Sequence, residues 1–126
     1  MSALAYTVPF YHFFLSLKLY SFIKINKIDR LHVHDIQVAR SVFWINKLFR
    51  LKIVLDLHEN RPEIMKYYYH VNTRLGKLLI SPSRWKKFEF RYIKKADSVI
   101  TVTQEAADYY VKKTSESSNK FCVLPN

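Results

Sequence analysis

Glycine is nearly absent from this sequence: Gly76 is the single glycine among 126 residues. Proteins use glycine at roughly 7% of positions, and loops that wrap a phosphate group in backbone amides need several glycines close together. The chain therefore contains neither a Walker loop nor a dinucleotide-binding fingerprint. No glycine loop holds a nucleotide phosphate here, and no cofactor is expected.

Cysteine and acidic residues are also scarce. The single cysteine, Cys122, excludes an internal disulfide and a cysteine-based metal site, and this usage is typical of a reducing compartment such as the cytoplasm. Asp and Glu number 10 against 21 Lys and Arg, which gives a net charge of +11. A charge of this sign favours an anionic partner, which leaves nucleic acid, phospholipid and nucleotide open.

The sequence has no uninterrupted apolar run long enough to span a bilayer, and no basic residue precedes the apolar stretch near its N-terminus. We therefore expect no secretory signal. The spacing predicts an amphipathic helix from about Pro9 to Ile25. Its apolar stripe comprises Phe10, Phe13, Phe14, Leu17, Tyr20 and Ile23. Packing of this stripe on a sheet is the favoured interpretation, and a helix lying on a membrane surface is the alternative.

Beyond this helix the periodicity alternates between strand and helix. Strands are predicted at 31–34, 52–57, 98–102 and 120–124. Helices are predicted at 37–50, from Ser83 as cap to about Lys95, and from Thr103 as cap through 104–113, with helical pieces over 63–79. With 49% hydrophobic residues, the chain can bury a core. The pattern predicts one α/β domain over residues 1–126, a Rossmann-like parallel sheet of about four strands with helices on both faces.

Polar side chains follow each predicted strand, at the edge where ligands bind in parallel sheets. They are His34, Asp35, Asp56, His58, Glu59, Thr103, Gln104, Pro125 and Asn126. Histidine and carboxylate groups can bind metals, but no His-x-x-x-His pair is present, so no metal site is expected. The alternative is that Asp35, Asp56 and Glu59 cap the helices that follow.

Four segments together resemble glycosyltransferase family 4. They are Asp29 to Asp35, Lys52 to Pro62, Glu89 to Thr103 and Val123 to Asn126. Their order, spacing and placement on strands are similar to the second half of that family's N-terminal domain. The resemblance covers roughly residues 10 to 126.

This resemblance implies the GT-B fold, in which two Rossmann domains face each other across a cleft. It implies retaining transfer of a sugar from a nucleotide-sugar donor to a glycan or lipid-linked acceptor, in polysaccharide biosynthesis at the cell surface. The family's preceding strands with their glycine-rich loop, and its donor-binding C-terminal domain with a Glu-x7-Glu motif, have no counterpart here. The expectation is therefore a partial domain that is inactive alone.

By position, His58 matches the family histidine that faces the donor sugar, which implies a catalytic role. His34, Asp35 and Glu59 are implied substrate contacts, and Asn126 matches the point where the family chain crosses to the donor domain. The alternative for His58 is a structural imidazole fixed by a neighbouring carboxylate such as Glu59.

The densest basic segment is predicted to form a helix that carries Trp85, Phe88 and Tyr92 on one face. We expect a membrane-surface patch made of Lys86, Lys87, Arg91, Lys94 and Lys95; a solvated cationic helix is the alternative. Tyr67, Tyr68 and Tyr69 are candidates for stacking on sugars or for shielding the sheet.

Two functions remain open at this point. One is a glycosyltransferase fragment at the inner face of the membrane, bound peripherally. Such a fragment would work with its missing half or associate with itself through the first strand. The other is a non-catalytic basic module that binds membrane or nucleic acid. Nucleic acid is not favoured, because it gives no reason for the positions of His58 and Asn126.

Overall fold

The computed structural model describes residues 9–58, 67 and 81–125. The helices are α1 (Pro9–Ile25), α2 (Ile36–Phe49), α3 (Pro82–Lys95) and α4 (Gln104–Thr114), and a short 3₁₀ helix covers Ser118–Lys120. The strands are β1 (Arg30–His34), β2 (Lys52–Leu57), β3 (Ser98–Thr101) and β4 (Phe121–Val123). The predicted helical pieces over 63–79 lie outside the described residues.

The four strands form one parallel sheet in the order β1-β2-β3-β4. The register places His34 beside Asp56, and Asp56 beside Ile100. Sequential parallel strands joined by helices are the arrangement that the alternating periodicity predicted. The α/β class with a Rossmann-like sheet of four strands is therefore confirmed.

The two faces of the sheet differ in burial. Val33, Leu55 and Val99 belong to the face that packs against helix residues such as Ala39 and Ile93 in a single core cluster. The opposite face carries residues that are exposed or half-buried: His32, His34, Val54, Asp56, Ile100 and Cys122. Among the described residues, helices cover the first face, as predicted. The second face presents histidine and carboxylate groups.

Helix α3 begins two residues earlier than predicted. Its cap is Ser81, whose Oγ accepts a hydrogen bond from the backbone N–H of Arg84 at 3.3 Å. The prediction of Ser83 as the cap was wrong, because Pro82 occupies the first position of the helix. Proline suits this position, since the first residues of a helix have no intrahelical partner for an N–H and the proline φ angle is already helical. The cap of α4 is confirmed: Thr103 Oγ1 accepts from Ala106 N–H at 3.2 Å.

Helix α1 exposes five of the six residues of its predicted apolar stripe and buries only Ile23, so its predicted packing through that stripe was wrong. The buried residues of α1 include His12, Ser16 and Ile23, and the helix packs mainly against α2. His12 Nδ1 lies 2.8 Å from Ser41 Oγ of α2, and the Ser16 hydroxyl donates to the His12 carbonyl at 2.7 Å. Polar groups can be buried when they are hydrogen-bonded in this way, and these contacts fix the aromatic side chains of α1 outward.

A buried ion pair on α3 packs against tyrosine rings of α4. The Glu89 side chain is fully buried, and Lys86 Nζ lies 2.6 Å from its carboxylate. The same ammonium group lies 5.0 Å from the ring centres of Tyr109 and Tyr110. Burial, and the charge and hydrogen bond of Glu89, raise the pKa of Tyr110, so its phenol stays protonated and can donate to this carboxylate.

Lys86 is therefore not part of an exposed cationic patch. Its side chain is only 14% exposed, because the long aliphatic stem and the ammonium group are enclosed by Glu89 and the tyrosine rings. The other four cations of the predicted patch, Lys87, Arg91, Lys94 and Lys95, are exposed on α3.

Candidate functional site

Four of the predicted edge residues meet at the carboxyl ends of β1 and β2. They are His34, Asp35, Asp56 and His58. The parallel register places His34 opposite Asp56, and the backbone N–H of Asp35 donates to the Asp56 carbonyl at 2.9 Å, which extends the ladder by one bond. Two short stretches that are far apart in sequence thus supply one cluster.

Asp56 lies at the centre of this cluster. Its Oδ2 atom is 3.2 Å from His32 Nε2 and 3.3 Å from His34 Nδ1. Both imidazoles are more than half exposed, whereas the Asp56 carboxylate is 15% exposed. The open face of the sheet exposes both rings. The carboxylate therefore orients two histidine rings toward solvent.

His58 occupies the inner side of the cluster. Its ring centre lies 4.0 Å from that of His34, with 34° between the ring planes. Its Nδ1 atom is 3.6 Å from Asp35 Oδ1 and 3.9 Å from Asp56 Oδ1, and the side chain is 22% exposed. These separations are longer than direct hydrogen bonds, so the ring is held by stacking and by the charges of two carboxylates. Glu59, the alternative partner, lies outside the described residues, as does Asn126.

Asp35 has a strained backbone conformation. It precedes α2 with φ 67° and ψ 157°, and its side chain makes no capping hydrogen bond. The alternative interpretation, in which the Asp35 side chain caps α2, is therefore wrong. This region of φ and ψ is almost restricted to glycine and costs about 1–3 kcal/mol for other residues. The strain directs a buried carboxylate toward His58.

Relief of this strain can be measured with a pair of substitutions. Asp35→Gly should be about 1–3 kcal/mol more stable than Asp35→Ala, because both remove the carboxylate and only glycine accepts the positive φ without a steric cost. Urea unfolding of both variants gives the difference. The same pair at the exposed Asp29, which has no positive φ, is the control, and there alanine should be the more stable residue. Equal stability of the two Asp35 variants would contradict the strain.

A cavity adjoins His58 at the carboxyl ends of β2 and β3. It has a volume of about 360 Å³, within the range of small-molecule sites. Its lining comprises Leu57, His58, Val102, Thr103, Glu105, Ala106, Tyr109 and Tyr110. Sequence reasoning missed Glu105 and Tyr109, although both lie in the first two turns of the helix that follows β3, where ligand contacts are expected. Polar and aromatic groups beside an imidazole suit a polyhydroxylated ligand.

The family model described as Glycosyltransferase Family 4 matches residues 2–126 of the chain. The protein belongs to glycosyltransferase family 4. Membership indicates glycosyl transfer in general, with a nucleotide-sugar donor and a glycan acceptor. A comparison with curated proteins finds no match.

The family 4 domain also carries a set of potential metal ligands. His34, Asp56 and His58 each offer one ligand atom within 4.8 Å of the others, and such groups suit zinc and similar cations. Their spacing in sequence gave no sign of this set, because the His-x-x-x-His argument applies to one helix and these residues come from two neighbouring strands.

None of the helices in the described ranges combines the length and apolar composition of a membrane span. Tyr67 is 84% exposed, while Tyr68 and Tyr69 lie outside the described residues.

Proposed function

We propose that this chain forms the acceptor side of a retaining glycosyltransferase. The enzyme transfers a sugar from a nucleotide-sugar donor to a polysaccharide or lipid-linked acceptor in cell-surface glycan synthesis. The observation that carries the proposal is the placement of His58: it lines the cavity beyond β2 and β3 and is held there by His34, Asp35 and Asp56.

His58 is the proposed catalytic residue. A half-buried imidazole beside a cavity can hydrogen-bond a sugar hydroxyl or stabilise charge that develops near the reaction centre, and neither role requires a metal ion. The two carboxylates orient the ring. Asp35 acts mainly through His58, whereas His34, on the exposed side of the stacked rings, contacts the acceptor directly.

The acceptor sugar occupies the cavity in this proposal. The Thr103 hydroxyl can donate hydrogen bonds to sugar hydroxyls or accept them, and the Glu105 carboxylate can accept them. The Tyr109 ring offers a surface for stacking on a pyranose. Glu59 and Asn126 keep their proposed roles in substrate binding from the sequence analysis.

The donor diphosphate is assigned to residues other than those of this chain. The sequence contains one glycine and no Glu-x7-Glu pair, so it offers neither a phosphate loop nor the family's paired glutamates. We therefore propose that the chain alone does not catalyse sugar transfer. We also propose that it works in the cytoplasm at the inner face of the membrane. The exposed cations Lys87, Arg91, Lys94 and Lys95 supply one means of attraction to anionic lipid.

The role of His58 is tested by comparing activity with stability. With a family 4 donor-binding domain supplied in trans or by fusion, His58→Ala should lower kcat about 10²–10³-fold, the usual effect of removing one group that stabilises transition-state charge. The melting temperature should change little. His32→Ala is the matched control, since His32 contacts the same Asp56 carboxylate and lies outside the cavity.

Two results would contradict the proposal. Comparable losses of kcat in the His32 and His58 variants would indicate that the cluster is structural. Sugar transfer by the purified 126-residue chain from any nucleotide-sugar would show that the donor site is present after all.

A further inference from the structure

Helices α1 and α2 together expose a continuous apolar surface, here called the α1–α2 face: Phe10, Phe13, Phe14 and Leu17 of α1 with Trp44 and Leu48 of α2. Phe10 and Leu48 are exposed by about 70%. The Phe13 and Trp44 rings lie 6.4 Å apart, and a groove of about 310 Å³ runs between the two helices along Phe13, Leu17, Trp44 and Leu48.

The orientation of α1 is fixed by its polar contacts. The hydrogen bond from His12 to Ser41 and the bonds of Ser16 hold the polar side of the helix against α2. A rotation that buried the aromatic side chains would break these bonds and expose the buried polar groups. The aromatic surface is therefore a stable feature of the fold, and exposed apolar surface of this kind marks a contact with a partner.

The charges around the α1–α2 face have one sign. Neither α1 nor α2 contains an Asp or Glu within its bounds, whereas Lys18, Lys24, Arg40 and Lys47 are present. A second cavity, of about 330 Å³, lies where α3 meets these helices, and its lining combines Phe13 and Trp44 with Arg40, Lys47 and Lys95. Aromatic side chains and cations thus alternate over one surface.

An anionic lipid bilayer offers both kinds of contact at once. Its phosphates attract Lys and Arg near the surface, and the boundary between headgroups and acyl chains accepts Phe, Trp and Leu. A nucleic acid would satisfy the cations and the stacking, but it would leave Leu17 and Leu48 without an apolar partner.

We infer that the α1–α2 face binds the surface of anionic membranes, with Phe13, Phe14 and Trp44 entering the headgroup region and Arg40, Lys47 and Lys95 at the level of the phosphates. The helices lie along the surface. The contact differs from the α3 cations in its aromatic component and shares only Lys95 with them. It does not depend on the assignment of glycosyl transfer.

The two tryptophans of the chain provide a direct test. Trp44 is half exposed on the α1–α2 face, and Trp85 is buried in the core. With vesicles of phosphatidylglycerol and phosphatidylcholine, we expect a blue shift of tryptophan emission and quenching by lipids brominated on the acyl chain. In Trp44→Phe the remaining Trp85 emission should be unchanged by vesicles, which identifies Trp44 as the reporter.

Vesicle co-sedimentation then tests the surface itself. Phe13→Ser with Phe14→Ser should weaken binding at least tenfold, and Arg40→Gln with Lys47→Gln should weaken it and reduce its dependence on salt. The matched controls are Leu124→Ser, an exposed leucine after β4, and Lys112→Gln with Lys113→Gln on α4. The controls should bind like the unchanged chain, and circular dichroism should show the same helix content throughout.

Several results would overturn the inference. One is binding to pure phosphatidylcholine that is as strong as binding to the anionic vesicles and independent of salt. Another is a loss of binding on Lys87→Gln with Lys94→Gln but not on the Phe13 and Phe14 changes. A third is a blue shift of Trp44 emission that occurs without vesicles when the protein concentration is raised. The second would place the contact on α3, and the third would indicate self-association through this face. If a single-stranded oligonucleotide at physiological salt displaced the chain from vesicles and reversed the shift of Trp44 emission, nucleic acid would be favoured as the partner of this face instead.

Discussion

Replacing Lys86 by Met should lower the free energy of unfolding by about 3–5 kcal/mol, the usual effect of removing one partner from a buried ion pair. The substitution keeps the length of the side chain and removes its charge. Glu89, which is fully buried, then loses the ammonium group at 2.6 Å. Because a domain of this size has only about 5–15 kcal/mol of stability, the variant is expected to be close to unfolding.

A double-mutant cycle separates the ion pair from the packing around it. Lys86→Met combined with Glu89→Leu should recover much of the lost stability, since an apolar pair of similar volume no longer contains an uncompensated charge. Lys87→Met is the matched control, because Lys87 is the next residue and is exposed; its effect should stay within about 0.5 kcal/mol. If urea unfolding gave the same stability for the Lys86 and Lys87 variants, the pair would contribute nothing.

The sequence could not distinguish these two lysines. Lys86 and Glu89 are three residues apart on a helix, which predicts a surface pair of small effect. Their burial depends on Tyr109 and Tyr110, which belong to the next helix and come about twenty residues later in the chain. Only the packing of α4 on α3 decides which cations of the basic segment face solvent.

The orientation of α1 was unpredictable for a similar reason. Leu15, Leu19 and Phe22 lie outside the predicted stripe and are also apolar, so apolar residues surround most of the helix and the stripe does not define a unique buried side. The deciding contacts join His12 and Ser16 to Ser41, which is 25 or more residues away in sequence. The hydroxyl and carbonyl groups of Ser41 on α2 thus determine which side of α1 is buried.

Features that depend on local pattern were predictable. Each strand is a short segment of apolar or alternating apolar and polar residues between polar breaks. Strands β2 and β3 begin at Lys52 and Ser98, as predicted. The meeting of His34, Asp56 and His58 follows from a general rule about the carboxyl ends of parallel strands. The positive φ of Asp35 carried no sequence signal, because glycine is the residue that normally marks such a position.

Strand β1 should cause the chain to associate with itself. In the described part of the sheet β1 pairs only with β2 and forms one edge. The N–H of Asp35 bonds to the Asp56 carbonyl, and backbone groups alternate in direction along a strand, so the N–H and C=O groups of His32 and His34 point away from β2. The strand contains neither Pro nor Lys, the residues that usually discourage pairing at an edge.

We therefore expect sedimentation velocity to show a concentration-dependent dimer, with the amides of His32 and His34 protected from hydrogen exchange only at high protein concentration. His32→Pro should weaken the dimer at least tenfold, since proline removes an outward N–H and leaves the bonds to β2 intact. His34→Lys offers a second way to block the edge without a change in backbone. Val123→Pro, on the strand at the opposite edge, is the control and should leave association through β1 unchanged, because the Leu124 N–H donates to Thr101 on β3 and the Val123 N–H therefore points away from the sheet. A monomer at all concentrations, with the His32 and His34 amides already protected, would show that the edge of β1 is covered within the chain itself.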